Sequence, residues 1–275
     1  MIFSDQELSE KIERAEARSN RVFVEARASM FPESGACWTT AGGVSAMFDG
    51  IDSPCTQTFG LGLYEAATEE ILDELEAFFK ARGAPVLHEV SPLAGVSVVH
   101  LLNRRGYQPI ELSNVLYLPL TAEIDLDLRL NPRITTRIIE KGEEKLWARI
   151  STDGWATEGE MEAFGDFLYE FGQISARCDG GFPFIAELDG KPISAGMLLI
   201  GEDVAVLAGG STIPEGRRHG AQTALLAARL RLAAASGYRI AIMGAMPGSQ
   251  SQHNAEKNNF RIAYTRTKWK LTSDN

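Results

Sequence analysis

Thr212-Ile-Pro-Glu-Gly-Arg-Arg-His-Gly-Ala-Gln-Thr-Ala-Leu-Leu226 reads as the end of a strand, a tight basic turn with two glycines, and the start of a helix. Ahead of it, Val204-Ala-Val-Leu-Ala208 is a short β-type run. Behind it, Ala221 to Ala235 contains neither Gly nor Pro and is rich in Ala and Leu, which predicts a helix. A turn in that position aims several unpaired backbone N–H groups, and the positive end of the helix dipole, at one point. That makes an anion site suited to phosphate or pyrophosphate. Arg217, Arg218 and His219 add charge or donors, and Gly220 allows close approach to the backbone. With Ala221, Gln222 and Thr223 they form the candidate binding turn. The plainer alternative is an exposed Arg-Arg pair on a solvated loop.

Arg217-x-x-Gly220-x-Gln222 resembles the (Gln/Arg)-x-x-Gly-x-(Gly/Ala) turn with which the GCN5-related N-acetyltransferases (GNATs) hold the pyrophosphate of acetyl-coenzyme A. Pro214-Glu215 fits the same family, in which a strand ends just before such a pair. Pro247-Gly-Ser-Gln-Ser-Gln-His-Asn254-Ala-Glu-Lys257-Asn-Asn-Phe260 resembles the family's next segment, a loop and short helix closed by a Gly-Phe-like pair. The resemblance covers residues 133–275. It implies acetyl-CoA as co-substrate, lying in a wedge between two parallel strands, here the one ending at Ser211-Thr212-Ile213 and the one at Ile240–Met243. The pantetheine arm would lie along the first strand, where a backbone N–H polarises the thioester carbonyl. Gly209-Gly210 permits a bulge there. Asn254 is a candidate for the pantetheine or nucleotide side and Lys257 for a phosphate, whereas Ser251 reads as the N-cap of the short helix.

Two positions depart from the family pattern. Gln222 stands where a small residue is usual; its backbone N–H remains free if the side chain points away. The tyrosine that many members use as general acid falls near Ala255, which has no hydroxyl. The sequence therefore assigns no catalytic acid, and no base either. Glu158, Glu160, Glu187 and His253 are titratable groups without a pattern that raises them above surface charge. A thiol of pKa ~8.5 leaves as thiolate at pH 7 for roughly 2 kcal/mol, a lysine-like amine of pKa ~10.4 sheds its proton for roughly 4.6, and an α-amine of pKa ~7.8 for about 1. A base is thus needed for alkyl amines and nearly dispensable for α-amines.

Composition narrows the classes. The 275 residues suffice for two domains, and 44% hydrophobic with 23% charged is ordinary for a soluble protein. A net charge of −10 argues against nucleic acid or an anionic membrane as partner, and makes Arg217-Arg218-His219 distinctive. No apolar run approaches the ~20 residues of a membrane span, and the acidic start (Asp5, Glu7, Glu10, Glu13) does not read as a signal peptide, so a cytoplasmic protein is expected. Three cysteines without C-x-x-C spacing and four dispersed histidines predict neither a disulfide framework nor a metal site.

The element order repeats. Ser4-Asp-Gln-Glu7 reads as a capping box before Leu8, Ile12 and Ala15, and leads to Arg21-Val-Phe-Val24. Residues 36–64 hold two or three short strands. Thr68 caps a helix carrying Ile71, Leu75, Phe78 and Phe79, which ends at Gly83; a strand at 85–90, a helix at 92–105, Gly106-Tyr107 and a strand at 114–118 follow. The second half has a helix at 160–177, strands at 184–188 and 195–200, a third strand before the turn, the long helix to Gly237, a strand at 239–243, a short helix at 251–257 and a strand at 260–271. We expect an α/β (α+β mixed-sheet) fold of two tandem GNAT-like domains, each a mostly antiparallel mixed sheet flanked by helices. Residues 1–125 would be a degenerate copy and 126–275 the copy with the acetyl-CoA site, with a linker near Leu118–Arg133. In the first copy, Phe59-Gly-Leu-Gly62-Leu-Tyr-Glu-Ala-Ala-Thr68 replaces the anion turn with a surround of Glu65, Glu69 and Glu70, which repels a diphosphate.

The expected activity is acetyl transfer to an amine of a small molecule or peptide, by direct attack in a ternary complex. The alternative is a non-catalytic acetyl-CoA-binding regulatory module. Trp155, in the polar run Thr152-Asp-Gly-Trp-Ala-Thr157, is the candidate for an acceptor-pocket wall, while Phe164 and Phe167 are expected in the core.

Overall fold

The computed structural model describes the backbone of residues 3–121, 130–155 and 158–272, and the side chains of these except 158–163. In chain order the elements are α1 (Gln6–Met30), β1 (Cys37–Ala41), β2 (Val44–Phe48), β3 (Gln57–Phe59), α2 (Glu69–Lys80), β4 (Leu87–Val90), α3 (Val96–Arg104) and β5 (Tyr107–Pro119). Then come β6 (Ile134–Ile138), α4 (Glu144–Trp155), α5 (Glu158–Ser175), β7 (Gly181–Leu188), β8 (Lys191–Leu199), β9 (Ala205–Thr212), α6 (Ala221–Ala235), β10 (Ile240–Ala245), α7 (Gln250–Lys257) and β11 (Arg261–Leu271). The described residues fall into two compact units, one within Met1–Leu118 and Ile242–Asn275, the other within Pro119–Ala241. Sequence places 126–275 together as one domain; the contacts instead group its last segment with the N-terminal half.

The reason is the last strand. In the first unit the strand order is β1-β2-β3-β4-β11-β5, and β11 pairs antiparallel with β4 on one side and β5 on the other. Among the described pairings of this unit, β3 with β4 is the parallel one. One core forms where α2 and α3 pack on this sheet, with Leu72, Leu75, Phe79, Leu102 and Tyr107 enclosed. The cap of α1 is Asp5, whose carboxylate accepts from the Leu8 N–H, rather than Ser4, and the helix continues through Arg21–Val24. Thr68 caps α2 as expected.

Glu13 and His88 are fully buried in this unit. Glu13 accepts from the Tyr264 hydroxyl at 2.7 Å and from Arg266 Nη1 at 3.1 Å, and burial pushes its carboxyl up to about 7. His88 lies 2.7 Å from Thr58 Oγ1 and 3.0 Å from the Tyr107 hydroxyl, and burial pushes its imidazole down to about 4.

In the second unit β6, β7, β8 and β9 form an antiparallel meander. Helix α4, which the sequence pattern did not predict, covers one face: Trp147 and Ile150 pack on Ile185, Ala195 and Met197, and the Trp147 indole N–H donates to the Phe184 carbonyl at 3.0 Å. Helix α6 covers the other face, burying Ala224, Leu225, Ala227, Leu230 and Ala233. Helix α5 begins at Glu158, and Phe164 on it is 59% exposed rather than in the core. Phe167 is half-buried and packs on Phe171 with ring centroids 6.0 Å apart. The side chains of Glu158 and Glu160, and residues 122–129 of the expected linker, lie outside the described residues.

Candidate functional site

Strand β9 does not run regularly into the turn. Its pairing with β8 shifts from Met197↔Ala208 to Ala195↔Ser211, so two steps along β8 answer three along β9. The extra residue is a bulge at Gly209-Gly210, where Gly209 has φ +61°. Ala208 and Gly210 are exposed at this point of an otherwise buried strand.

After Ile213 the chain makes one 3-10 turn, Pro214–Gly216, and reaches α6 through Arg217–Gly220. Gly216 is buried against Ile193, so close that a Cβ would meet the Ile193 Cβ at 2.6 Å. Arg218 is held at φ +64° and Gly220 at φ +86°. A left-handed arginine costs about 1 kcal/mol and persists only where its surroundings over-determine it. One such constraint is Asn131. Its Nδ2 donates to the His219 carbonyl at 3.0 Å, while its Oδ1 accepts from the backbone N–H of Arg133 at 3.0 Å.

Gly220 is the N-cap of α6 and supplies no side-chain cap, and the first turn holds no acidic residue. Among the described residues, no acceptor stands opposite the backbone N–H groups from Arg218 to Thr223. A Cβ added at Gly220 would meet only the Asn131 Cβ at 3.9 Å, so the approach to these donors is open. Gln222 turns its side chain the other way, under the strand. Its Nε2 donates to the Ser211 carbonyl at 2.6 Å, to Ser194 Oγ at 2.9 Å and to Thr212 Oγ1 at 3.0 Å. The residue that breaks the motif therefore leaves its backbone N–H in the row. These features fit a diphosphate: unpaired N–H donors, an open glycine, and the exposed side chains of Arg217, Arg218 and His219 beside them. Arg217 also donates from Nε to the Thr212 carbonyl at 3.3 Å.

The opposite face of β9 meets α4. At Gly154 a Cβ would lie 2.7 Å from the Thr212 nitrogen and 2.8 Å from Ser211 Oγ, so the helix rests directly on the strand. Ser211 Oγ is enclosed there without a hydrogen-bond partner among the described residues. Trp155 follows as the last residue of α4 and is 60% exposed.

No protein-family model and no curated relative matches the sequence. Solved structures do match in fold. A GCN5-related N-acetyltransferase from Kribbella flavida superposes with a TM-score of 0.64 at 15% identity, over 91% of this chain and 95% of that one. A tandem GNAT protein from the clavulanic acid biosynthesis pathway gives 0.60 at 10% identity, over 100% of this chain and 98% of that one. A GCN5-related N-acetyltransferase from Sphaerobacter thermophilus gives 0.53 at 12% identity, over 80% and 73%. The chain has the tandem GNAT fold.

Within that fold, Ser211, Thr212, Ile213 and the turn 217–223 come together in the second unit, whereas Asn254 and Lys257 lie on α7 in the first. Both are exposed, and Asn254 Oδ1 accepts from Gln250 at 2.8 Å. The N-cap of α7 is Ser249, which accepts from the Gln252 N–H at 3.2 Å, not Ser251. Ala255 is 2% exposed and packed inward. Glu187 is held by Arg137 at 3.1 Å, and His253 is exposed on α7. Among the described residues, no group of three or more His, Cys, Asp or Glu side chains could hold a metal, and no helix is long and apolar enough to cross a membrane. Sequence reasoning missed Asn131, Gly154 and Ser194. The Asn-Pro pair at 131–132, just before a strand, was the one local signal for the first.

Proposed function

We propose that this chain is an acetyl-CoA-dependent N-acetyltransferase whose cofactor site lies in the second unit. The observation that carries the reading is the row of N–H groups from Arg218 to Thr223, unpartnered among the described residues, at the uncapped start of α6. Those donors, with Arg217, Arg218 and His219, would hold the diphosphate. Ser211, Thr212 and Ile213 would offer backbone to the pantetheine arm. When bound, acetyl-CoA supplies an activated acyl group: the amine nitrogen bonds to the carbonyl carbon as the C–S bond breaks, the sulfur keeps the electron pair, and the amine's surplus proton passes to thiolate or water.

The chain's own part is positioning. The bulge at Gly209-Gly210 exposes strand backbone, and Gly154 brings α4 and Trp155 against it. No acid or base is assigned, and Ala255 offers none, so the reading favours acceptor amines of low pKa. An α-amine near ~7.8 needs about 1 kcal/mol to lose its proton at pH 7, against roughly 4.6 for a lysine-like amine.

A thermal-shift screen tests the proposal. Acetyl-CoA and free CoA are expected to raise the melting temperature, ATP and NADH to leave it unchanged, and Arg217→Glu to remove the shift without unfolding the protein. No shift with acetyl-CoA, or an undiminished shift in Arg217→Glu, refutes the assigned turn. Release of CoA with a panel of amines separates the enzyme from a binding module, which would show affinity without turnover.

A further inference from the structure

Arg229, on α6, is buried to 5% exposure with no carboxylate partner among the described residues. Its bonds there are to main-chain carbonyls: Nη1 donates to Met197 at 3.1 Å and Ala208 at 3.3 Å, and Nε donates to Leu225 at 3.2 Å. Room is made for it at Gly196, where a Cβ would lie 3.0 Å from the guanidinium carbon. Burial lowers its pKa to about 10, so it stays charged at neutral pH. A buried guanidinium without a counter-charge is costly, and an aliphatic side chain like its neighbours Leu225 and Leu230 would fill the same interface at no such cost. Stability alone does not account for it.

Its position does. Met197 and Ala208 are the last regular pair before the bulge, and the guanidinium braces both carbonyls. The Ala208–Gly209 peptide is trans, so its N–H points opposite to its C=O. A cation on the carbonyl oxygen withdraws density through the peptide and makes the Gly209 N–H a stronger donor. Ala208 and Gly210 flank that N–H and are exposed, so a ligand can reach the strand there.

We infer that Arg229 is a positioning residue for acyl transfer: it fixes and polarises the Ala208–Gly209 peptide, whose N–H then acts on the acyl carbonyl. This rests on the acetyl-CoA reading above. The test is isotope-edited infrared spectroscopy of acetyl-CoA carrying a 13C carbonyl, with affinity measured in parallel by calorimetry. In the wild type the bound thioester band should move to lower wavenumber than in free acetyl-CoA. Arg229→Gln, which keeps a donor without the charge, and Arg229→Met should lose about half or more of that displacement, with the dissociation constant changed less than about threefold. Arg229→Lys should retain most of it.

An unmoved band in the bound wild type overturns the inference without recourse to any variant, as does an undiminished displacement in Arg229→Gln. Failure of acetyl-CoA to bind the wild type sinks the functional reading and this inference together. Binding with an unmoved band sinks the inference alone.

Discussion

Between pH 4.5 and 6.5 two buried groups of the first unit should pull stability in opposite directions. Glu13 has a folded pKa raised from 4.5 to about 7 by burial. The folded state therefore binds more protons than the unfolded chain in that interval, and stability falls as pH rises. His88 has a folded pKa lowered from 6.5 to about 4, again by burial. There the unfolded chain binds more protons, and stability rises with pH. One pKa unit is worth ~1.36 kcal/mol, and with one pKa at an edge of the interval and the other beyond it each group contributes about 2 kcal/mol between these pH values, with opposite sign. The wild type should change by less than about 1 kcal/mol between the two pH values. Glu13→Gln removes the falling contribution and should gain about 2 kcal/mol from pH 4.5 to 6.5; His88→Asn should lose about 2. Urea unfolding at the two pH values gives each slope without reference to the absolute cost of either substitution. A Glu13→Gln slope parallel to the wild type would refute the assignment of Glu13 as protonated in the fold.

Two further substitutions probe the second unit. Gly154→Ala would ordinarily stabilise a helix by about 0.5–1 kcal/mol, but its Cβ would meet the Thr212 backbone nitrogen at 2.7 Å, so urea unfolding should show a loss of about 1–3 kcal/mol instead. Gln222→Ala removes the Nε2 contacts to Ser194, Ser211 and Thr212 and should lower stability by about 1–2 kcal/mol. Its affinity for acetyl-CoA, measured by calorimetry, should change less than about threefold, because the backbone N–H is retained.

The parts of the fold legible in sequence were those whose causes are local. Helix α6 was bounded correctly because Gly220 and Gly237, both at positive φ, bracket an Ala- and Leu-rich run. The Gly209-Gly210 bulge was legible for the same reason. What sequence hid depends on partners far along the chain. Nothing in Arg261–Leu271 says that it pairs with β4 and β5. Helix α4 carries Thr152, Asp153 and Gly154 near its end, all weak helix formers, and is held by Trp147 packing on β7 and β8. Arg229 reads in sequence as a charge on a helix surface. Only the sheet beneath it makes it a buried cation.

The two halves differ most tellingly where their helices begin. At α2 the anion site is already filled from within: Thr68 Oγ1 accepts from the Ile71 N–H at 3.3 Å, and Glu69 and Glu70 occupy the first turn. A bond from its own backbone N–H holds the Glu70 carboxyl below its ordinary pKa. At α6 there is neither cap nor carboxylate. Thr223→Glu would give α6 what α2 has. A carboxylate in the first turn interacts favourably with the helix dipole, so stability should rise by about 0.3–1 kcal/mol. The same carboxylate competes for the N–H row and repels a diphosphate, so affinity for acetyl-CoA should fall roughly tenfold or more. Stability and binding thus move in opposite directions, which a merely disruptive substitution cannot produce. Urea unfolding and calorimetry on the same preparation measure both, and unchanged affinity would show that the start of α6 does not carry the phosphates.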